Sequence, residues 1–314
     1  MDKIFRSILA DGDAMEIDVP NIKQDYQISF CGRITKMGLI ALGHGFTQPW
    51  TSAYVEVDNK SIRVYTFKQD RELLADVAHG LTVQDFISIN IRVKCDATAD
   101  ILLTTISGEF QQNIVWNGGF GPVKAILRDG ELSDCNLQFY GEAFHKPIWG
   151  FGDSYFDHWP LLLNNKGKSN WLVDGGSGRG SLGAMASLEK ALKYNIPKCI
   201  FWCMGMNDAD SSDGINENWK SVAEKLIHIC NQYQIELILT TVPNVPARCH
   251  TYKNEYVRKS GYRYVDLEQA LEADKDPKWY PGLQEADEVH PTVMGAKVIA
   301  ARVLADIPEL LKID

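Results

Sequence analysis

Nowhere in the chain do about 18 apolar residues follow one another, so a membrane-spanning helix is excluded. Residues 1–11 carry only a broken apolar patch, too short for the apolar core of a secretion signal. The protein is therefore expected in the cytoplasm by default, with export open if a leader has been removed. Cys-x-x-Cys is also missing. The seven cysteines, Cys31, Cys95, Cys135, Cys199, Cys203, Cys230 and Cys249, are odd in number and scattered, so zinc-ribbon and thioredoxin-like readings fail. Positive charge is in short supply: 32 Lys and Arg against 41 Asp and Glu leave a formal net charge of −9. That balance argues against a nucleic-acid partner, which needs clustered cations, and reads as solubility. No internal repeat or low-complexity linker interrupts the 314 residues, 45% of them apolar, a length that suits about two cores.

What is present divides near Lys146-Pro147. From about residue 12 to 145, runs rich in β-branched and aromatic residues recur between turn signals: Tyr26 to Phe30, Ser52 to Val57, Ser61 to Phe67, Asp85 to Val93, Ile101 to Ile106, Glu109 to Trp116 and Leu137 to Tyr140. Ser61-Ile62-Arg63-Val64-Tyr65-Thr66-Phe67 alternates, as does the run from Phe86 to Val93, so each is expected to bury one face. Asp58-Asn59-Lys60 reads as a tight hairpin turn. Such spacing predicts an all-β sandwich or jelly roll over residues 1–145. In residues 146–314, buried-strand runs alternate with amphipathic segments, which predicts a parallel sheet covered by helices. The strand candidates are Ile148 to Phe151, Trp171 to Val173, Cys199 to Cys203, Glu236 to Thr241 and Tyr262 to Val265. Ile215, Trp219, Val222, Leu226, Ile229 and Tyr233 form a helical stripe for packing on that sheet.

The first strand of this second half runs through Trp149-Gly150-Phe151 and ends abruptly in Gly152-Asp153-Ser154, which presents a serine at the carboxyl end of a parallel strand, where ligand sites gather. A serine hydroxyl needs a base, a group to orient the base, and donors for the oxyanion formed on attack. Asp287-Glu288-Val289-His290 supplies a base and an orienting carboxylate: His290 would take the serine proton, and Asp287 would fix the imidazole tautomer. Asn207, just after the Phe201-Trp202-Cys203 run, either donates to an oxyanion or caps its own loop. Gly178, Gly180 and Gly183 satisfy Gly-x-Gly-x-x-Gly, but a dinucleotide site also requires an acidic residue about 20 positions on, and around Lys198-Cys199-Ile200 there is none. His44, His79 and His145 fall in the β half and His228 in the helical stripe, so zinc-ligand spacing is absent.

Four blocks in order, Gly152-Asp153-Ser154, Gly175-Gly176-Ser177-Gly178, Gly205-Met206-Asn207-Asp208 and Asp287 through His290-Pro291-Thr292, make residues 147–312 resemble the SGNH or GDSL-type hydrolase superfamily. The resemblance implies a flavodoxin-like three-layer α/β domain, ester hydrolysis without a cofactor, and an oxyanion hole made by the Ser154 and Gly175 amides with Asn207. Gly176 is the off-by-one alternative to Gly175. Val173 stands where the superfamily often has Asn, and Tyr155 where the nominal motif has Leu. A β domain ahead of such a hydrolase is similar to the arrangement in family 2 carbohydrate esterases, which rests on domain order and not on a motif. The expected activity is hydrolysis of O-acyl, foremost acetyl, esters of a small molecule or oligosaccharide. Acyl transfer to a sugar, or carbohydrate binding on an inactive scaffold, are the alternatives. Tyr155, Met206, Trp279 and Tyr280 are candidate substrate contacts, the aromatic ones serving either as stacking faces for a sugar ring or as packing for their own loops, and Trp149 and Trp159 beside the serine carry the same two readings. No metal is expected, and oligomeric state is left open.

Overall fold

The computed structural model describes residues 2–19, 25–44, 54–67, 71–78, 81–94, 98–105, 108–115, 122–157, 171–272 and 279–311. Trp159, His79, Cys95 and the ends of three of the expected strand runs lie outside them. The chain folds as two compact units, Met1–Ala143 and Phe144–Asp314.

In the first unit the strands are β1 (Asp2–Ala10), β2 (Ala14–Ile17), β3 (Tyr26–Lys36), β4 (Leu39–His44), β5 (Tyr54–Val57) and β6 (Ser61–Phe67). They continue with β7 (Arg71–Ala78), β8 (Phe86–Val93), β9 (Thr98–Thr105), β10 (Gly108–Val115), β11 (Val123–Arg128) and β12 (Glu131–Gly141). Two six-stranded sheets result, ordered β1-β12-β3-β8-β9-β10 and β2-β11-β4-β5-β6-β7, with antiparallel pairings throughout. Period-two alternation is the cause of one-sided burial: along β8, Ile87, Ile89, Ile91 and Val93 are buried, while Ser88, Asn90 and Arg92 are not. The Asp58 carboxylate closes the β5–β6 hairpin by accepting the amides of Lys60 (2.7 Å) and Ser61 (2.9 Å), which is the Asx chemistry that turns favour.

In the second unit β13 (Ile148–Gly152), β14 (Trp171–Gly175), β15 (Cys199–Cys203), β16 (Glu236–Thr240) and β17 (Arg263–Val265) form one parallel sheet, ordered β14-β13-β15-β16-β17. Counted within the unit, that order is 2-1-3-4-5, the flavodoxin-like order, whose switch point lies beside the first strand. Every residue of β14 and β15 is buried, as parallel strands covered on both faces require. Between strands run α1 (Ser154–Asp157), α2 (Ser181–Ala191), α3 (Glu217–Tyr233) and α4 (Thr251–Lys259), while α5 (Leu267–Leu271) and α6 (Val293–Asp306) follow the last strand. The stripe read from sequence holds at its centre: Trp219, Val222, Leu226 and Ile229 are buried on α3. It overreaches at its ends, since Ile215 precedes the helix and Tyr233 is 45% exposed on the last turn.

Gly150 and Gly152 on β13 have a steric reason. A Cβ at either position would collide with the Phe156 side chain, which α1 folds back over the strand it has just left. Tight reversal at the strand end therefore depends on bare backbone there, and it places Ser154 at the first residue of α1.

Candidate active site

Ser154 is not presented at an open turn, contrary to the expectation from sequence: it is 4% exposed. The reversal that brings Phe156 down on Gly152 also tucks the serine in, and the imidazole of His290 meets it, with Nε2 2.9 Å from the Ser154 Oγ. His290 Nδ1 lies 2.5 Å from Asp287 Oδ2. The Asp287 carboxyl is held well below the usual carboxylate range, first by the imidazole N–H and then by the amides of His290 and Val289 that donate to it. An ionised Asp287 accepts a hydrogen bond from Nδ1–H, so Nε2 carries the lone pair that faces the serine hydroxyl.

Local backbone arranges this pair. The amides of Val289 and His290 each donate to Asp287 Oδ1 at 2.9 Å. Glu288, next to Asp287, adopts φ 56°, a left-handed conformation that reverses the chain so that residues 287 and 290 face each other. Glu285 N donates to the His290 carbonyl (2.8 Å) and Thr292 N to that of Leu283 (2.9 Å), closing the loop at its base. Thr292 then caps α6 by accepting the Gly295 amide (3.1 Å). The Tyr155 hydroxyl donates to the Val289 carbonyl, tying the serine's helix to the histidine's loop.

Gly175 ends β14 directly beside Gly152, two residues before the serine. Asn207 lies in the loop after β15, its Nδ2 donating to the Arg179 carbonyl (3.1 Å) and its Oδ1 accepting from Arg248 (3.1 Å). The three blocks are fastened together by groups whose part the sequence did not disclose. Asp153, buried, accepts the amides of Tyr155 (3.0 Å) and Met206 (3.1 Å), joining the serine turn to the Asn207 loop. Burial raises its pKa to about 6, against the pull of those amides and that of Gly205. The Arg179 guanidinium donates to the Gly152 carbonyl (2.6 Å) and pairs with Asp174 (2.7 Å), joining the ends of β13 and β14. Asp208 accepts the Ser181 amide (2.9 Å) and so caps α2, whose own N-cap, Gly180, has no side chain to do it.

Of the candidate substrate contacts, three are packed away. Tyr155, Met206 and Trp279 are 2%, 1% and 6% exposed and belong to one hydrophobic cluster under the site. Trp279 spends its indole N–H on the Asn244 carbonyl (3.0 Å). Their bulk is used for packing, so they offer no free face to a sugar ring; Trp149, at 0%, is likewise core. Tyr280 alone among the four is exposed, at 49%. Among the described residues, no cluster of His, Cys, Asp and Glu is arranged to hold a metal ion, and no helix is long and apolar enough to cross a membrane.

Behind the Asn207 loop lies a buried pair that sequence reasoning missed, because neither residue belongs to a recognisable motif. His250 Nδ1 faces the Lys253 ammonium at 3.1 Å, both residues being 0% exposed. His250 Nε2 has no hydrogen-bond partner among the described residues. Burial, then the Lys253 and Arg248 charges, lower the His250 pKa to about 2 from 6.5. With its folded pKa depressed, the imidazole contributes stability that is fully present above about pH 6.5 and is lost as pH falls toward 2. The difference in unfolding free energy between wild type and His250→Gln, measured by urea denaturation, should therefore shrink between pH 7 and pH 5, by up to about 1.4 kcal/mol per pH unit. Asp153 and Glu272, whose pKa values burial raises to about 6 and about 7, work in the opposite sense and cancel in that difference. A difference flat with pH would show that folding leaves this imidazole's protonation unchanged.

Solved GDSL-type hydrolases match about half the chain. A GDSL-like lipase from Bacteroides thetaiotaomicron is 19% identical, covering 53% of this chain and 89% of its own, with a TM-score of 0.42. The lipase/acylhydrolase from Enterococcus faecalis is 24% identical, covering 53% and 97%, with a TM-score of 0.39. The acetyl xylan esterase AlAXEase is 17% identical, covering 51% and 98%, with a TM-score of 0.40. No family model matches the chain, and no curated protein matches it in sequence.

Proposed function

We propose that the protein is a serine esterase that removes O-acyl groups, foremost acetyl, from a carbohydrate. The observation that supports this most is the continuous chain from Ser154 Oγ to His290 Nε2 and from His290 Nδ1 to an ionised Asp287. In this reading Nε2 takes the hydroxyl proton as Oγ attacks the ester carbonyl. The amides of Ser154 and Gly175 and the Asn207 side chain hold the negative charge that develops on the carbonyl oxygen. His290 then protonates the departing alcohol, leaving an acyl-serine. Water, deprotonated by the same imidazole, releases the acid and restores the serine. Every group named belongs to the second unit.

For the first unit we infer a jelly roll. The strand orders β1-β12-β3-β8 and β2-β11-β4-β5 interleave as the two sheets of that fold do, with β6–β7 and β9–β10 as added hairpins. We assign this unit to substrate selection and not to the chemical step.

Acetylated monosaccharides and oligosaccharides, compared with longer acyl esters of the same alcohols, test the substrate class. Turnover should be greatest with acetyl and should release free acetate. Faster turnover on long acyl chains, or acetate appearing only on an added sugar acceptor, would overturn the assignment. Asn207→Ala should lower kcat by about 100- to 1,000-fold while changing KM little, because an oxyanion donor acts on charge present only in the transition state. Unchanged kcat would make Asn207 a structural residue of its loop.

A further inference from the structure

The Asn207 amide has one oxygen and one NH₂ group, and only the NH₂ can serve an oxyanion, so its value depends on which way it is turned. Arg248 settles that. It sits after β16 in a loop closed by reciprocal bonds, Val245 N to the Arg248 carbonyl (3.1 Å) and Arg248 N to the Val245 carbonyl (2.9 Å). Its Nη1 donates to Asn207 Oδ1 at 3.1 Å and to the Met206 carbonyl at 3.2 Å. Rotating the amide by half a turn would set NH₂ against the guanidinium and the oxygen against the Arg179 carbonyl, two repulsive contacts in place of two hydrogen bonds. With Oδ1 on a cation and one Nδ2 hydrogen on Arg179, one N–H remains. A second cation backs the same loop: Lys253 Nζ donates to the carbonyls of Gly205 (2.9 Å) and Asp208. Acceptors from four successive residues, 205 to 208, are thus turned toward positive charge, which withdraws electron density from the amide and strengthens its remaining donor.

We propose that Arg248 is a positioning residue of the esterase, acting through Asn207 to fix and polarise the side-chain N–H that meets the oxyanion. The inference rests on the reading of Asn207 as an oxyanion donor. It makes a reach of 41 residues along the chain, from the loop after β16 to the loop after β15, part of the catalytic apparatus.

Steady-state kinetics on p-nitrophenyl acetate for wild type, Arg248→Gln, Arg248→Lys, Asn207→Ala and the Arg248→Gln/Asn207→Ala double variant tests it. Arg248→Gln should lower kcat by about 10- to 100-fold, the range for losing a charge-assisted hydrogen bond, with KM within about twofold. Arg248→Lys should recover part of the loss, since an ammonium can reach one of the two acceptors but not both. In the Asn207→Ala background, Arg248→Gln should cost less than about threefold more, as residues acting as one unit do. Losses that multiply in the double variant, or an Arg248→Gln enzyme with wild-type kcat, would overturn the inference while leaving the esterase reading intact. An Asn207→Ala enzyme with wild-type kcat would overturn both the inference and the reading of Asn207 as an oxyanion donor, and would leave the serine chemistry standing. Thermal unfolding of each variant checks folding. If Arg248→Gln does not unfold cooperatively, Arg248→Lys alone and combined with Asn207→Ala supplies the same comparison.

Discussion

Ser154→Ala is expected to lower kcat for ester hydrolysis by about 10⁵- to 10⁶-fold, the scale on which loss of a serine nucleophile acts in other hydrolases. The fold should survive, because the change removes one oxygen from a buried position and leaves a methyl group of similar size. What goes with the hydroxyl is the hydrogen bond to His290 Nε2, and a neutral imidazole can turn that nitrogen to water. A fluorophosphonate should label the wild-type protein once, at Ser154, and the variant not at all. Residual activity within about 100-fold of wild type, well above what an intact oxyanion hole alone would leave, would remove Ser154 from the nucleophile's role, as would a label on another serine.

His290→Ala should cost nearly as much, and combining it with Ser154→Ala should cost no more than either alone, since base and nucleophile act as a unit. Asp287 should matter less. Its side chain is half exposed, 50% against 26% for the His290 side chain, so water can stabilise the imidazolium when the carboxylate is gone. Asp287→Ala is therefore expected to fall short of the roughly 10⁴-fold loss typical of an orienting carboxylate. A loss as large as that of His290→Ala would mean that Asp287 is shielded from water during the reaction. The measurement is kcat on one small acetyl ester across all three single variants and the double variant.

How much of this could be read from residues alone differed between the two halves. Parallel strands buried on both faces write themselves as unbroken apolar runs, and Cys199–Cys203 was legible to the residue. Ile148 to Phe151 fell one residue short of β13 because Gly152 carries no side chain to mark it. In the antiparallel half the strands β1, β2, β4, β7 and β11 were not read, β1 being an edge strand. Most residues of β1 are exposed, Phe5 and Ile8 among them, so its apolar pattern is broken by the solvent it faces. The serine, histidine, aspartate and asparagine stood out through their spacing in four blocks. Arg248 and Lys253 did not, because a side chain that reaches back more than 40 residues to grip a loop leaves no local pattern. The aromatic candidates stayed open in sequence for a related reason: Tyr155 and Trp279 look the same whether they stack on a sugar or fill a core, and only burial separates the two.

The hydrogen bond between Ser154 and His290 spans 136 positions of chain. Contacts of such sequence separation carry the largest loop-closure cost and are not formed until both ends are held. During synthesis, strands β13 to β16 and the serine turn all emerge before the base that would arm it. On the proposed mechanism the serine is therefore inert on a growing chain until residues 287–290 are in place. If the proposed activity holds, its recovery during refolding should lag behind the recovery of helical circular dichroism, and so report completion of the second unit.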